Sequence, residues 1–248
     1  AQLNLNTIDT EKRKANKFYF ALSPEDEIEQ AVDYFVSRKI EHPAVIYADN
    51  SLGRRLSSQF SELWQESTNK QLENIAFQSQ SKLGEAVKEL LDVGLSAKRI
   101  KQINRLLGAK IKSEERSRTD IDAIYVIANS QQTRLIKPFF DVNVSNFAEK
   151  LPIYASSRSY VVGETTSEKT DLNGLTFTEM PWLVSNSNPE LNQLYQQVGD
   201  NNTQLKKLFA FGYDSIQLLP ILNHLALLPE ISIKSLTGTL RIDELQRI

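Results

Sequence analysis

The feature that most constrains the fold is a repeated alternation of short apolar segments with amphipathic ones. The apolar segments at residues 43–48, 121–128 and 152–155 are short and mostly apolar, as is typical of strands buried on both faces. Between them, apolar residues recur at helical spacing. Strands that alternate with helices form βαβ units, whose crossovers are right-handed. The sequence therefore predicts an α/β fold in which a parallel sheet is flanked by helices.

The clearest helix begins at Ser23 and Pro24, where an N-cap residue is followed by a proline and acidic residues. Leu135 and Phe139 are expected on the inner side of a later helix, which Pro138 is expected to disturb or end early. Gly94 is expected to end another helix. Weaker strands and further helices are predicted at residues 75–77 and 174–177, and at 52–64, 83–91, 97–111, from 188–189 and from 203, with a final β segment at 238–242.

Composition excludes several classes of function. The chain has 248 residues, and 29 basic residues nearly balance 31 acidic ones, so the net charge of −2 argues against a general affinity for nucleic acid. Cysteine is absent, which excludes thiol catalysis, disulfides and cysteine–metal sites. The charge-free run at residues 215–229 is shorter than the roughly 20 apolar residues that a membrane span requires.

No catalytic motif accompanies the α/β pattern. The two histidines, His42 and His224, are not at metal-ligand spacing, and neither a nucleophile elbow nor a glycine-rich phosphate loop is found. We therefore expect a protein that is not an enzyme and that has no cofactor and no metal ion.

Candidate binding residues follow the predicted strands. Ligands of open α/β sheets bind at the carboxyl ends of strands, where this chain has Asn50, Asn129 and the run at residues 156–160. Helix capping and turn formation would explain the two asparagines equally well. Turn formation explains the run less well, because the run contains an arginine and a tyrosine, which are not typical turn residues. Its members are Ser156, Ser157, Arg158, Ser159 and Tyr160.

A basic segment at residues 96–118 contains eight Lys or Arg residues and two Glu residues. A solvated helix face is the simplest interpretation, and a docking surface for an acidic partner or a polyanion is the alternative. Aromatic residues are absent from the segment, which disfavours nucleic acid. The docking candidates are Lys98, Arg99, Lys101 and Arg105.

Several stretches together resemble a known family. Residues 44–47 followed by Leu-Gly-Arg at 52–54 are similar to type I periplasmic-binding-protein folds. More narrowly, four motifs resemble the C-terminal domain of the LpoA family, outer-membrane lipoproteins that activate a class A penicillin-binding protein: Leu-Ser-Pro-Glu-Asp-Glu at 22–27, Ile-Lys-Pro at 136–138, Tyr-Ala-Ser-Ser-Arg-Ser at 154–159 and Leu-Thr-Gly-Thr-Leu at 236–240.

The resemblance implies an organisation in two lobes. Residues 21–178 would form a complete second lobe, and residues 1–20 with 179–248 would belong to a first lobe that we expect to be incomplete. It also implies a location on the periplasmic side of the outer membrane. The membrane would be reached only through an N-terminal lipid anchor that is absent from this chain, so the fragment itself is expected to be soluble.

Two functions remain open at this point. The resemblance implies a non-catalytic regulator whose partner is a class A penicillin-binding protein, a peptidoglycan synthase. The alternative is a solute-binding protein whose lobes close on a small polar ligand. The amino-acid-binding relatives of this fold often place a carboxylate just after the strand equivalent to residues 152–155, and here that turn, residues 156–158, contains no acid.

Overall fold

A computed structural model describes residues 1–6, 16–144, 150–161, 170–184, 194, 196–198, 202–228 and 230–248. These residues divide into two compact units, one formed by Ala1–Pro24 with Glu179–Ile248 and the other by Glu25–Thr178. The helix expected from residues 188–189 lies mostly outside the described residues.

The larger unit is built on one five-stranded parallel sheet. Its strands are β3 (Pro43–Ala48), β4 (Glu73–Phe77), β5 (Ala123–Ile127), β6 (Ile153–Ala155) and β7 (Leu175–Phe177), in the order β4-β3-β5-β6-β7. All four neighbouring pairs are parallel, so the predicted α/β fold is confirmed.

Helices cover both faces of this sheet. They are α1 (Pro24–Ser37), α2 (Ser51–Thr68), α3 (Leu83–Leu90), α4 (Val93–Leu107) and α5 (Ser130–Asn143). Successive residues of a strand point to opposite faces, and the two cores follow this alternation. Val45 and Tyr125 pack with Phe35, Phe60 and Trp64 on one face. Residues of the same strands one position away pack against α3 and α5 on the other: Ala44, Ile46, Ile124 and Val126.

The smaller unit contains, among its described residues, two pairs of strands and three helices, and it has its own apolar cluster. Strands β1 (Gln2–Asn4) and β2 (Lys17–Tyr19) are parallel, whereas β8 (Ile233–Lys234) and β9 (Thr239–Leu240) are antiparallel. The helices are α6 (Pro181–Val184), α7 (Thr203–Leu218) and α8 (Leu222–Leu227). The cluster consists of Phe18, Phe20, Leu218, Leu222, Leu225, Leu240 and Ile242.

Three details of the sequence prediction are wrong. Gly94 does not end a helix: the break falls at Asp92, whose positive φ of 54° separates α3 from α4, and Gly94 lies inside α4. Pro138 does not end α5 early, which was one of the two effects expected of it, because the helix continues to Asn143. Leu135 and Phe139 are exposed rather than inside, because the face of α5 that packs on the sheet is narrower than its apolar pattern.

Candidate functional site

The carboxyl edge of the parallel sheet brings the sequence candidates of the larger unit together. Because all five strands run in one direction, the residues that follow β3, β5, β6 and β7 lie along the same edge. Asn50 follows β3, Asn129 follows β5, and the run that starts at Ser156 follows β6. The edge is therefore the natural place to look for a site.

Both asparagines cap helices. The side chain of Asn50 accepts a hydrogen bond from the Gly53 N–H at 2.8 Å, at the start of α2. Asn129 and Gln132 form a reciprocal capping box at the start of α5, in which each side chain accepts from the other's backbone N–H. Caps of this kind satisfy helix N–H groups that have no partner within the helix. Neither side chain needs a ligand to explain its place.

Gly53 is required by the turn that positions Asn50. A Cβ atom at residue 53 would stand 2.0 Å from the carbonyl oxygen of Ala48, the last residue of β3. The same oxygen accepts the Asn50 N–H at 2.8 Å. The Leu-Gly-Arg motif noted in the sequence thus contains the glycine that lets α2 start directly beside the end of β3.

The run after β6 is held by a carboxylate from a distant part of the chain. Glu27, in the first turns of α1, accepts hydrogen bonds from the Ser157 backbone N–H and from the Ser157 hydroxyl, the latter at 3.0 Å. The hydroxyl of Thr178, directly after β7, donates to the same carboxylate. Glu27 therefore ties α1 to the ends of two adjacent strands.

Sequence reasoning missed this role of Glu27. The sequence pattern marks Glu27 only as one of the acidic residues at the start of α1, and Ser157 lies 130 positions away in the chain. The available signal was the acid-free turn itself, because the N–H groups of a buried turn need an acceptor from somewhere. An acid does stand at this turn, but its oxygen atoms are already engaged by the protein.

The remaining members of the run differ in exposure. Ser159 is buried, and its hydroxyl lies 2.8 Å from that of Thr133 on α5. Ser156 is buried too, and its hydroxyl has no hydrogen-bond partner among the described residues. Tyr160 stacks on Phe177 with ring centroids 5.0 Å apart. Arg158 alone is exposed.

One ionisable group beneath this edge has a shifted pKa. Burial raises the pKa of the Tyr125 phenol well above its usual value, and the negative charge of Glu27 raises it further. The phenol is therefore neutral at any physiological pH and cannot act there as a base. A hydroxyl–imidazole–carboxylate arrangement is not formed here, since the exposed histidine of this unit, His42, follows α1 at the opposite end of β3.

The docking candidates lie elsewhere in the larger unit, on α4. Lys98, Arg99, Lys101 and Arg105 are all exposed, and none of them forms an ion pair with another described residue. The segment after α4 ends at Arg118, whose guanidinium pairs with Glu73 and Asp120. This Arg118 contact lowers the pKa of the Asp120 carboxyl to about 2.

Neither a metal site nor a membrane span is found in the part of the chain that the structure describes. No group of three or more histidine and acidic residues in that part is close enough together to bind an ion. Every described helix is too short or too polar to cross a bilayer.

Comparisons with known proteins agree on one family. The model of the LppC putative lipoprotein family matches residues 1–248. A penicillin-binding protein activator LpoA from Photobacterium profundum is 30% identical over 251 residues, covering 98% of this chain. The LpoA of Aliivibrio fischeri is 31% identical over 245 residues. The chain spans 40% of the length of each of these two relatives.

Solved structures show the same fold. The C-domain of LpoA (YraM) from Haemophilus influenzae, described as a regulator of PBP1A, matches 99% of this chain and 68% of its own with a TM-score of 0.74 and 24% identity. A putative branched-chain amino acid ABC transporter protein from Chromobacterium violaceum matches with a TM-score of 0.69 and 19% identity, over 69% of its own chain. At these identities the likeness concerns the fold alone, which both proteins share with this chain.

Proposed function

Because the chain belongs to the LppC family of putative lipoproteins, we propose that it binds a class A penicillin-binding protein and activates peptidoglycan synthesis without catalysing a reaction itself. The observation behind the proposal is that curated relatives aligned with 98% of this chain are named penicillin-binding protein activators. The proposal places the protein on the periplasmic side of the outer membrane. It also assigns the unit of residues 25–178 to the second lobe of the family fold and the smaller unit to the first.

The geometry at the carboxyl edge of the sheet supports a scaffold more than a solute-binding protein. A ligand site needs polar groups that are free to bind the ligand. Here Asn50, Asn129, Ser157 and Ser159 bond to the protein itself. Arg158 is exposed, but one guanidinium is a small basis for a specific site. The solute-binding alternative therefore has the weaker support.

Direct binding tests the proposal. The protein would be titrated into a purified class A penicillin-binding protein from the same organism, with the Chromobacterium violaceum protein of similar fold as the matched control. We expect saturable binding by this protein and none by the control. Equal binding by both, or by neither, would contradict the proposal.

A further inference from the structure

Helix α4 is unusual among the helices of the larger unit because little of it is buried. Of its 15 residues, only Val93 and Ser96 are buried, both in its first turn. Its exposed residues include Leu95, Ile103 and Leu106, whose exposed fractions are 46%, 47% and 84%. Each Å² of apolar surface that a side chain such as Leu106 leaves in contact with water costs free energy. Several such side chains on one helix therefore point to a surface that another molecule covers.

The exposed residues of α4 are sorted into two sectors. At about 100° per residue, Leu95, Ile103 and Leu106 fall within about 80° of the helix circumference; we name them the apolar stripe. Three cations at positions i, i+3 and i+7 fall within about 60° of one another; this basic row consists of Lys98, Lys101 and Arg105. The polar Gln102 lies between the two sectors, and Arg99 lies within the apolar one.

The chain after α4 is fixed alongside the helix. The Ile111 N–H donates to the Asn104 side chain at 2.9 Å, and the Arg116 N–H donates to the Ser96 hydroxyl at 2.9 Å. Because of these two bonds, the segment that follows α4 runs back alongside the helix. Its exposed Lys110 adds to the positive charge of the helix. The helix and its return segment, residues 109–117, therefore form one surface, which these two hydrogen bonds hold together.

We propose that the apolar stripe and the basic row together dock an acidic amphipathic segment of a protein partner. The inference rests on the proposed function, in which that partner is the peptidoglycan synthase. The apolar stripe would bury the apolar residues of the segment, and the basic row would face its Asp and Glu side chains. No described residue forms an ion pair with the four cations of α4, so their charge is available to such a partner.

A protein occupant fits this surface better than a lipid or a nucleic acid. Helices that lie in a membrane interface usually insert Trp or Phe with their Leu residues, and single-stranded nucleic acids stack on aromatic rings. Residues 93–118 contain no aromatic residue. An apolar stripe beside a basic row instead suits an amphipathic helix of a partner, which carries its apolar anchors on one face at i, i+3, i+4 and i+7.

Two double variants test the proposal in the binding titration against the synthase. Ile103→Ser/Leu106→Ser removes most of the apolar stripe, and Lys98→Glu/Lys101→Glu reverses charge in the basic row. All four side chains are exposed, so circular dichroism and the urea midpoint should match those of the wild type. We expect each variant to weaken binding by about tenfold or more, and the charge variant also to flatten the dependence of affinity on salt.

Matched controls change the same chemistry elsewhere. Val142→Ser removes an apolar side chain that is 82% exposed on α5, and Lys234→Glu/Arg241→Glu reverses two exposed charges in the smaller unit. Both controls should bind as the wild type does. If the wild type binds the synthase and the α4 variants bind equally well, the docking surface is wrong while the proposed function stands.

A second arm covers the case in which the wild type does not bind the synthase. The probe is a synthetic amphipathic peptide with Leu at i, i+3 and i+7 and Glu on the flanking positions, compared with its scrambled form and with phosphatidylglycerol vesicles. If the unscrambled peptide binds the wild type and does not bind the α4 variants, the docking surface is supported and the synthase is rejected as its partner. Binding to the vesicles alone, or to no probe, would overturn the inference.

Discussion

At the residue scale, Glu27 has the largest structural role among the polar side chains of the sheet edge. One carboxylate accepts from the backbone and the hydroxyl of Ser157 and from the hydroxyl of Thr178. Hydrogen bonds to a charged acceptor are stronger than neutral ones, and a half-buried donor left without an acceptor costs free energy. Glu27 should therefore contribute to stability rather than to ligand binding.

Glu27→Gln tests this role. Glutamine has one acceptor oxygen in place of two, and its amide group cannot accept from Ser157 or Thr178. We expect the free energy of unfolding to fall by about 1–3 kcal/mol, measured as a shift of the urea midpoint. Glu29→Gln changes an exposed acid on the same helix and should shift it by less than about 0.5 kcal/mol. Equal effects of the two substitutions would reject the role assigned to Glu27.

Asp120 gives the protein a defined dependence of stability on pH. Its folded-state pKa of about 2 lies below the ordinary value of 3.8 because of Arg118. A carboxyl with a depressed folded-state pKa stabilises the fold above its unfolded-state pKa and loses that contribution as pH falls through the folded one. The contribution is therefore complete at neutral pH, and it is lost as the pH falls from about 4 through about 2.

Asp120→Asn should remove this pH-dependent contribution to the free energy of unfolding. The Asp120 side chain is 57% exposed, so after solvent screening we expect a loss of at most about 1 kcal/mol at pH 7. The difference from the wild type should shrink as the pH falls toward 2, where the Asp120 carboxyl of the folded protein is about half protonated, and it should vanish below that pH. Parallel urea titrations between these two pH values measure it, with Asp33→Asn as the exposed control. A difference that grows toward low pH would contradict the assignment.

At the element scale, α4 and its return segment form an arm in which few residues are buried. Ser96 is one of two buried residues of the helix, and its hydroxyl accepts the Arg116 N–H. Regions with few buried contacts open locally at a lower free energy than the rest of a domain. The arm should therefore be the part of the larger unit whose local order is most sensitive to a single hydrogen bond.

Ser96→Ala should loosen the arm without unfolding the domain. The substitution removes the acceptor of the Arg116 N–H, so hydrogen exchange at residues 109–117 should accelerate, whereas exchange in β3 and β5 should stay unchanged. Hydrogen-exchange mass spectrometry measures both regions in one experiment. Ser58→Ala on the exposed side of α2 should alter neither. Uniform acceleration throughout the unit would instead assign Ser96 to its global core.

At the scale of the whole molecule, the sequence predicted the sheet well because parallel strands have a strong local signature. The segments at β3 and β5 are continuous apolar runs between helical patterns, and such runs identify buried parallel strands wherever they occur. The capping roles of Asn50 and Asn129 could also be predicted from the sequence, because capping depends only on neighbours within a few residues.

What could not be predicted depends on contacts between distant residues. Glu27 meets Ser157 only after the sheet has formed, and no local pattern indicates that pairing. The break between α3 and α4 falls at Asp92, although Gly94 is the residue that ordinarily adopts a positive φ. The exposure of the apolar residues on α4 could not be predicted from the sequence either, because a helical apolar pattern ordinarily predicts burial.

The family and the fold both fit the proposed function, in which the protein regulates an enzyme and does not catalyse a reaction itself. Relatives named as activators align with nearly the whole chain, and the polar residues at the sheet edge stabilise the protein itself. A regulator of this kind acts by differential binding: it must bind the active state of its partner more tightly than the inactive state. Its effect should therefore be visible in the partner's rate and absent from the protein alone.

The most direct measurement is the rate of peptidoglycan synthesis by a purified class A penicillin-binding protein, with and without saturating amounts of this protein. Glycan polymerisation and peptide cross-linking would be followed separately, with the protein alone as the blank and the α4 charge variant as the comparison. The account predicts a faster reaction with the wild type, a smaller increase with the variant and no product from the blank. An unchanged rate at saturation, or product formed by the protein alone, would contradict it.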